Sequence, residues 1–145
     1  MSLKQVSLLA TSVLVVATVT LLLRRALFAG GPVRVGLQVL AGLLMLWARL
    51  TFGIRSFHAS ANPTAGGLVT RGPYRFIRHP IYAAILLFVW AGVASHLSIA
   101  NALLALVVSA ATAVRIGAEE RFLFEGYPEY AAYAARTKRL IPFVF

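Results

Sequence analysis

The chain has 145 residues, of which 60% are hydrophobic and only 12% are charged. Soluble domains carry about 25% charged residues, so this composition indicates a single-domain integral membrane protein. The formal net charge is +10, but the basic residues flank apolar runs as juxtamembrane charge does, which argues against nucleic-acid binding. Because the chain contains no cysteine, disulfides and thiolate metal sites are excluded, and no metal site is predicted.

Two apolar stretches near the start of the chain are long enough to cross a bilayer as helices. Residues 3–23 form the first predicted span and are followed by Arg24 and Arg25. A cleaved signal peptide is the competing interpretation, but the two arginines would then precede the cleavage point, so we expect a retained span. Gly-Gly-Pro at 30–32 predicts a turn, and residues 33–54 form the second span.

The longest polar connection covers residues 55–80 and is rich in serine, glycine and proline. Connections of this length are usually functional, so we predict a cofactor loop here. Its last part runs into the next span as Arg71-Gly-Pro-Tyr-Arg-Phe-Ile-Arg-His-Pro-Ile-Tyr82, the densest polar stretch of the chain. Pro80 suits the first turn of a helix, where its missing N–H group costs nothing.

Residues 81–118 contain no lysine or acidic residue, and Arg115 is their one arginine. A single helix of that length would measure about 57 Å, which is too long for one span. Polar residues interrupt the middle of the stretch, so we predict a hairpin of two short spans, 81–96 and 100–118. The many alanines of the second arm would let the two arms pack tightly.

The remaining residues, 119–145, are predicted to lie at the membrane interface. The last span continues to about residue 125, and a short helix follows from Pro128 to near Lys138. Tyrosines recur every three residues and are interpreted as an interfacial aromatic belt, with ligand contact as the alternative; they are Tyr127, Tyr130 and Tyr133. The apolar tail after Arg139 could return to the membrane.

The predicted fold is therefore all-α: a polytopic membrane protein with four transmembrane helices, a C-terminal helical hairpin and a short interfacial helix. Both termini and the 55–80 loop then share one side of the membrane. Most lysines and arginines fall on that side, and only Arg24, Arg25 and Arg34 fall on the other. The positive-inside rule places both termini and the loop in the cytosol, with the chain in the inner or plasma membrane if it is prokaryotic.

The hairpin should bring two polar clusters together, with Arg78 and His79 at its entrance and Glu119 and Glu120 at its exit. An ion-pair cluster that only holds the ends together is one explanation, but exposed pairs contribute only about 0–1 kcal/mol. A helix start favours an anionic group and a carboxylate pair favours a cationic one. A ligand that carries both a carboxylate and an ammonium group would fit.

These stretches carry a family resemblance. Leu68-Val-Thr-Arg-Gly-Pro-Tyr-Arg-Phe-Ile-Arg-His-Pro-Ile-Tyr82, the hairpin, Glu119-Glu120, and Gly126-Tyr-Pro-Glu-Tyr130 through Leu140-Ile-Pro142 resemble the isoprenylcysteine carboxyl methyltransferase family, which is grouped with the phospholipid methyltransferases. The resemblance covers about residues 45–143. It implies S-adenosylmethionine (SAM) as methyl donor, S-adenosylhomocysteine (SAH) as product, and a lipid-like acceptor such as an isoprenylcysteine-type carboxylate. Membrane lipids are expected partners, and a homo-oligomer is possible because four spans are fewer than many members have.

The resemblance also implies site residues. The cofactor-binding set is Leu68, Val69, Tyr74, Arg78, His79, Pro80, Tyr82, Glu119 and Glu120. The first three would lie against the nucleoside or methionine part, the stretch from Arg78 to Tyr82 near the methionine carboxylate, and the glutamates at the amine or ribose. Two catalytic roles are predicted. Arg49 would orient a substrate carboxylate, with an arginine that snorkels to the membrane interface as the alternative. His79 or a glutamate is the candidate base for an amine acceptor.

Two other functions remain open at this point. A membrane reductase of the sterol-reductase type, using NADPH, resembles the C-terminal region, although such enzymes are generally larger. A small non-enzymatic membrane interaction protein would use its arginines for topology and for contact with anionic lipids. Titrating SAM and NADPH separately into the protein discriminates between the three functions. The methyltransferase would bind SAM, the reductase would bind NADPH, and the interaction protein would bind neither.

Overall fold

A computed structural model describes residues 2–53 and 67–145, and the predicted loop residues 55–66 lie outside this part. The described residues form five α-helices and one 3-10 helix. The α-helices are α1 (Leu3–Leu23), α2 (Pro32–Phe52), α3 (Pro80–Ser95), α4 (Ile99–Gly126) and α5 (Tyr130–Arg136), and the 3-10 helix is Gly72–Arg75. The predicted all-α fold is confirmed for this part of the chain.

Three of the described helices, α1, α2 and α4, are long and apolar enough to cross a membrane. The fourth predicted span, α3, is an apolar helix of 16 residues. At 1.5 Å per residue it measures about 24 Å, less than the hydrocarbon thickness of about 30 Å. The membrane character is therefore confirmed, whereas a total of four spans stays a prediction.

Each of the helices α1 to α4 begins at a residue that is suited to a helix N-terminus. At α1, the Ser2 side chain accepts from the amide of Gln5 while the Gln5 side chain accepts from the amide of Ser2, which is a capping box. Pro32 and Pro80 occupy the first positions of α2 and α3. Ser98 caps α4 through its hydroxyl. The helix starts are thus encoded locally.

The helices pack chiefly in two pairs, α1 with α4 and α2 with α3. The chain does reverse between α3 and α4, as predicted, but these two arms contact each other less than they contact α1 and α2. The expectation that α4 packs tightly against α3 was therefore wrong, because α4 packs mainly against α1. Small buried residues on both members of the α1–α4 pair, Ala10 and Ala17 with Ala105 and Ala111, allow the close approach.

The loop between α1 and α2 is fixed against α3. The side-chain nitrogen Nε2 of Gln38 donates to the backbone carbonyls of Leu27, at 2.8 Å, and Phe88, at 3.0 Å. A Cβ atom at Gly92 would lie only 2.6 Å from the carbonyl carbon of Leu27. The absence of a side chain at Gly92 is therefore what lets the loop backbone rest on α3.

At the opposite end of the bundle, the C-terminal segment runs beside the start of α3. Ile77 and Lys138 form a parallel bridge. The amide of Arg78 donates to the carbonyl of Lys138 at 2.7 Å, and that of His79 donates to the carbonyl of Arg139 at 3.0 Å. These bonds bring the C-terminal segment against the polar stretch, an arrangement that the sequence did not predict.

Candidate functional site

The segment before α3 is anchored on the end of α2. Gly72 has a φ of +59°, and a Cβ atom there would lie 2.9 Å from Cγ2 of Thr51. Both observations favour glycine, which is the residue that adopts positive φ without strain. The ring of Tyr74 packs against Phe52 with centroids 5.5 Å apart. This packing fixes where the chain enters α3.

His79 lies between the two glutamates. Its side chain is 4% exposed, with Nδ1 3.7 Å from Oε2 of Glu119 and Nε2 3.4 Å from Oε1 of Glu120. The Nε2 contact is close but poorly directed, so this buried atom has no hydrogen-bond partner among the described residues. The predicted meeting of the hairpin entrance and exit is present in the structure.

Glu120 is almost completely engaged by protein groups. It is 7% exposed and pairs with Nε of Arg78 at 2.9 Å and Nη2 of Arg139 at 2.8 Å. Arg78 also donates to the carbonyls of Ala134, at 2.9 Å, and Thr137, at 2.5 Å. Glu120 and Arg78 therefore join α4, the start of α3 and the C-terminal segment.

Glu119 keeps more contact with solvent, at 23% side-chain exposure. Its Oε1 accepts from the hydroxyl of Tyr82 and from Nη2 of Arg115, the latter at 3.0 Å. Nε of Arg115 donates to the same Tyr82 hydroxyl at 2.6 Å. Oε1 is thus held by two donors, while Oε2 lies on the side of His79.

Arg115 was not among the predicted site residues. It is buried in α4, and its three donor nitrogens bond Tyr82, Glu119 and, on α1, Thr11. Two sequence signals could have found it: an arginine inside an apolar run, and the i, i+4 spacing to Glu119. The first helix, which carried no motif, thereby contributes to the polar network.

Two of the three tyrosines after α4 are buried and do not form the predicted aromatic belt. Tyr130 and Tyr133 are 1% and 5% exposed, so that interpretation was wrong for both. The hydroxyl of Tyr133 donates to the carbonyl of Tyr74 at 2.6 Å and so ties α5 to the 3-10 helix. Burial raises the pKa of Tyr133 to about 12, and the pKa values of Tyr74 and Tyr130 are also raised by burial. All three hydroxyls are protonated at neutral pH.

The other predicted residues lie around this centre. Arg49 is half-buried in the last turn of α2, and its charge partly offsets the effect of burial on the pKa of Tyr74. Leu68 and Val69 are half-buried on the segment that leads to the 3-10 helix. The structure brings together Arg78, His79, Pro80, Tyr82, Glu119 and Glu120 directly, whereas ligand contact by Leu68, Val69, Tyr74 and Arg49 stays a prediction.

Comparison with known proteins supplies a family context for this geometry. The sequence profile of the phospholipid methyltransferase family matches residues 31–130. The cobalt-zinc-cadmium resistance protein CzcN of Cupriavidus metallidurans is 42% identical over 76 residues, which are 52% of this chain and 35% of that protein. The chain therefore matches only about a third of the length of this curated relative. No solved structure matches the chain.

Proposed function

The chain belongs to the phospholipid methyltransferase family, and we propose that it is a SAM-dependent methyltransferase with a membrane-embedded, lipid-like acceptor. The observation that carries the proposal is the placement of His79 between Glu119 and Glu120 at the start of α3. A helix start and an acidic pair thus lie within a few ångströms of each other. Family membership favours this activity over the reductase.

The two charges of a methionine-type zwitterion match the two halves of this site. The amides of Ile81 and Tyr82 precede the first hydrogen bond within α3, from Ala83 to His79, and such amides favour a carboxylate. Glu119 is the more exposed of the two glutamates, so it is the better candidate for the ammonium group.

SAM, when bound, supplies a methyl group on a positively charged sulfur. The protein's contribution is to hold donor and acceptor in line, which accounts for most of the rate gain expected in such a transfer. A carboxylate acceptor needs no base at neutral pH. For an amine acceptor, His79 would be the candidate base, since its ring lies between the carboxylates of Glu119 and Glu120.

The acceptor is proposed to approach from the membrane beside the end of α2. Arg49 lies in the last turn of that helix, where its guanidinium would orient an isoprenylcysteine-type carboxylate or a similar small amphiphile. The proposed site includes the start of α3 and the last turn of α2, and a position near helix ends suits a water-soluble donor and a lipid acceptor. The excess of basic residues on this side supports a cytosolic orientation.

Calorimetric titration of the purified protein in detergent tests the proposal. We expect SAM and SAH to bind and NADPH not to bind. Glu119→Gln should weaken SAH binding strongly, because Glu119 is the more exposed glutamate that is proposed to bind the ammonium group. Glu125→Gln, at an exposed position of the same helix, is the matched control. No binding of SAM or SAH at millimolar concentration, or binding of NADPH instead, would overturn the proposal.

A further inference from the structure

Arg115 connects three helices through three separate nitrogens. Nε reaches Tyr82 on α3, Nη2 reaches Glu119 one turn further along α4, and Nη1 reaches the hydroxyl of Thr11 on α1. A guanidinium is planar and presents its donors in fixed directions. A contact at one nitrogen therefore restricts where the other two can point.

Thr11 is well suited to receive this bond. Its own hydroxyl proton is donated to the carbonyl of Ser7 at 2.8 Å. An oxygen that has given its proton away still has lone pairs with which to accept, so Nη1 of Arg115 meets an oriented acceptor. Thr11 lies outside residues 31–130, the range matched by the family profile, and no role follows from that match.

We infer that Thr11 is a positioning residue for cofactor binding: it orients Arg115, which holds Oε1 of Glu119 and leaves Oε2 to receive the ammonium group of the donor. This inference rests on the proposed function and assigns the first helix a part in it. Because the proposed action of Thr11 runs through Arg115 and Glu119, its effect should be confined to the part of the ligand that Glu119 binds.

A second threonine on α1 provides the contrast. The hydroxyl of Thr20 donates to the carbonyl of Val16 at 2.8 Å, the same bond within the helix that Thr11 makes to Ser7. Thr20 lies nine positions further along α1, toward the end of the bundle where Arg24 bonds Asn101. Thr20→Val is therefore a matched control that removes an equivalent hydroxyl far from the glutamates.

The test compares Thr11→Val, Thr11→Ser and Thr20→Val by calorimetric titration of the full chain in detergent with two ligands. One ligand is SAH, and the other is a deaminated SAH analogue that keeps the carboxylate. Thr11→Val should weaken SAH binding about tenfold, the effect of one hydrogen bond to a charged group, without changing the affinity for the deaminated analogue. Thr11→Ser, which keeps the acceptor oxygen, and Thr20→Val should both bind SAH within about twofold of the unmodified chain.

The outcomes separate this inference from the proposed function. Failure of the unmodified chain to bind SAH overturns the proposed function itself. If the unmodified chain binds SAH but Thr11→Val binds it equally well, or loses both ligands equally, the positioning role is overturned. If Thr11→Val does not fold, Thr11→Ala replaces it, and failure of both variants to fold shows a packing role and also overturns the inference.

Discussion

At the scale of single residues, Glu119 and Glu120 are neighbours in sequence whose carboxylates have different environments. Glu120 is 7% exposed and pairs with two arginines, whereas Glu119 is 23% exposed and is held through one oxygen. A carboxylate that is fully paired contributes to the fold, and one with a spare oxygen can bind a ligand. The two residues should therefore respond differently to substitution.

Glu120→Gln is expected to reduce the free energy of unfolding by about 3 kcal/mol, because removing one partner of a buried ion pair leaves the other charge uncompensated. Arg139→Gln should cost only about 1 kcal/mol or less, since that side chain is 45% exposed. Chemical unfolding in detergent measures both values. Equal costs for the two substitutions would contradict the assignment of Glu120 as the buried centre of this network.

Tyr82→Phe is expected to weaken SAH binding about tenfold, because the lost hydroxyl links Arg115 to Glu119. Tyr130→Phe is the comparison variant. The Tyr130 hydroxyl is buried without a hydrogen-bond partner in the described residues, so its removal should leave stability unchanged or raise it. Calorimetry and thermal unfolding of both variants provide the measurements, and an unchanged affinity in Tyr82→Phe would contradict the network.

At the scale of helices and segments, the sequence predicted where each helix lies along the chain better than it predicted which helices pack together. The helix starts follow from Ser2, Pro32, Pro80 and Ser98, and length alone required residues 81–118 to reverse. The pairing of α1 with α4 could not be predicted, because a helix that is apolar on every face has no stripe that identifies its neighbour. The bridge from Ile77 to Lys138 consists of backbone bonds, which have no side-chain signature.

Gly92→Ala tests the contact between α3 and the loop after α1. The added Cβ would overlap the backbone of Leu27, and overpacking of this kind typically costs about 1–3 kcal/mol. Gly42→Ala on α2 is the matched control, because a Cβ there meets nothing within 4 Å and alanine is the better helix former. We expect a lower melting temperature for the first variant only, and equal effects would show that the loop does not rest on α3.

At the scale of the whole molecule, the residues of the site come from both ends of the sequence. Arg78 and His79 meet Glu119 and Glu120 as the hairpin predicted, since a chain that crosses and returns ends on the face it left. Thr11 and Arg139 complete the network from α1 and from the C-terminal segment. Neither could be found from sequence, because each contact depends on how separate helices pack.

The membrane orientation can be measured directly because the chain has no cysteine. Ser2→Cys and Glu129→Cys place exposed thiols at the end of the bundle that carries the site, and Gly30→Cys places one at the opposite end. A membrane-impermeant maleimide added to intact cells should label only Gly30→Cys, since the excess of basic residues favours a cytosolic site. The reverse labelling pattern would contradict the proposed orientation.

The central claim is methyl transfer from SAM to a lipid-like acceptor at the site formed by α3 and α4. The most direct measurement reconstitutes the purified chain in liposomes with native lipid extract and isoprenylcysteine acids, then follows labelled methyl groups from SAM into the organic phase. We predict incorporation by the unmodified chain and its loss in Glu119→Gln, with Glu125→Gln retaining activity. No incorporation by the unmodified chain with any acceptor, or full activity in Glu119→Gln, would contradict the account.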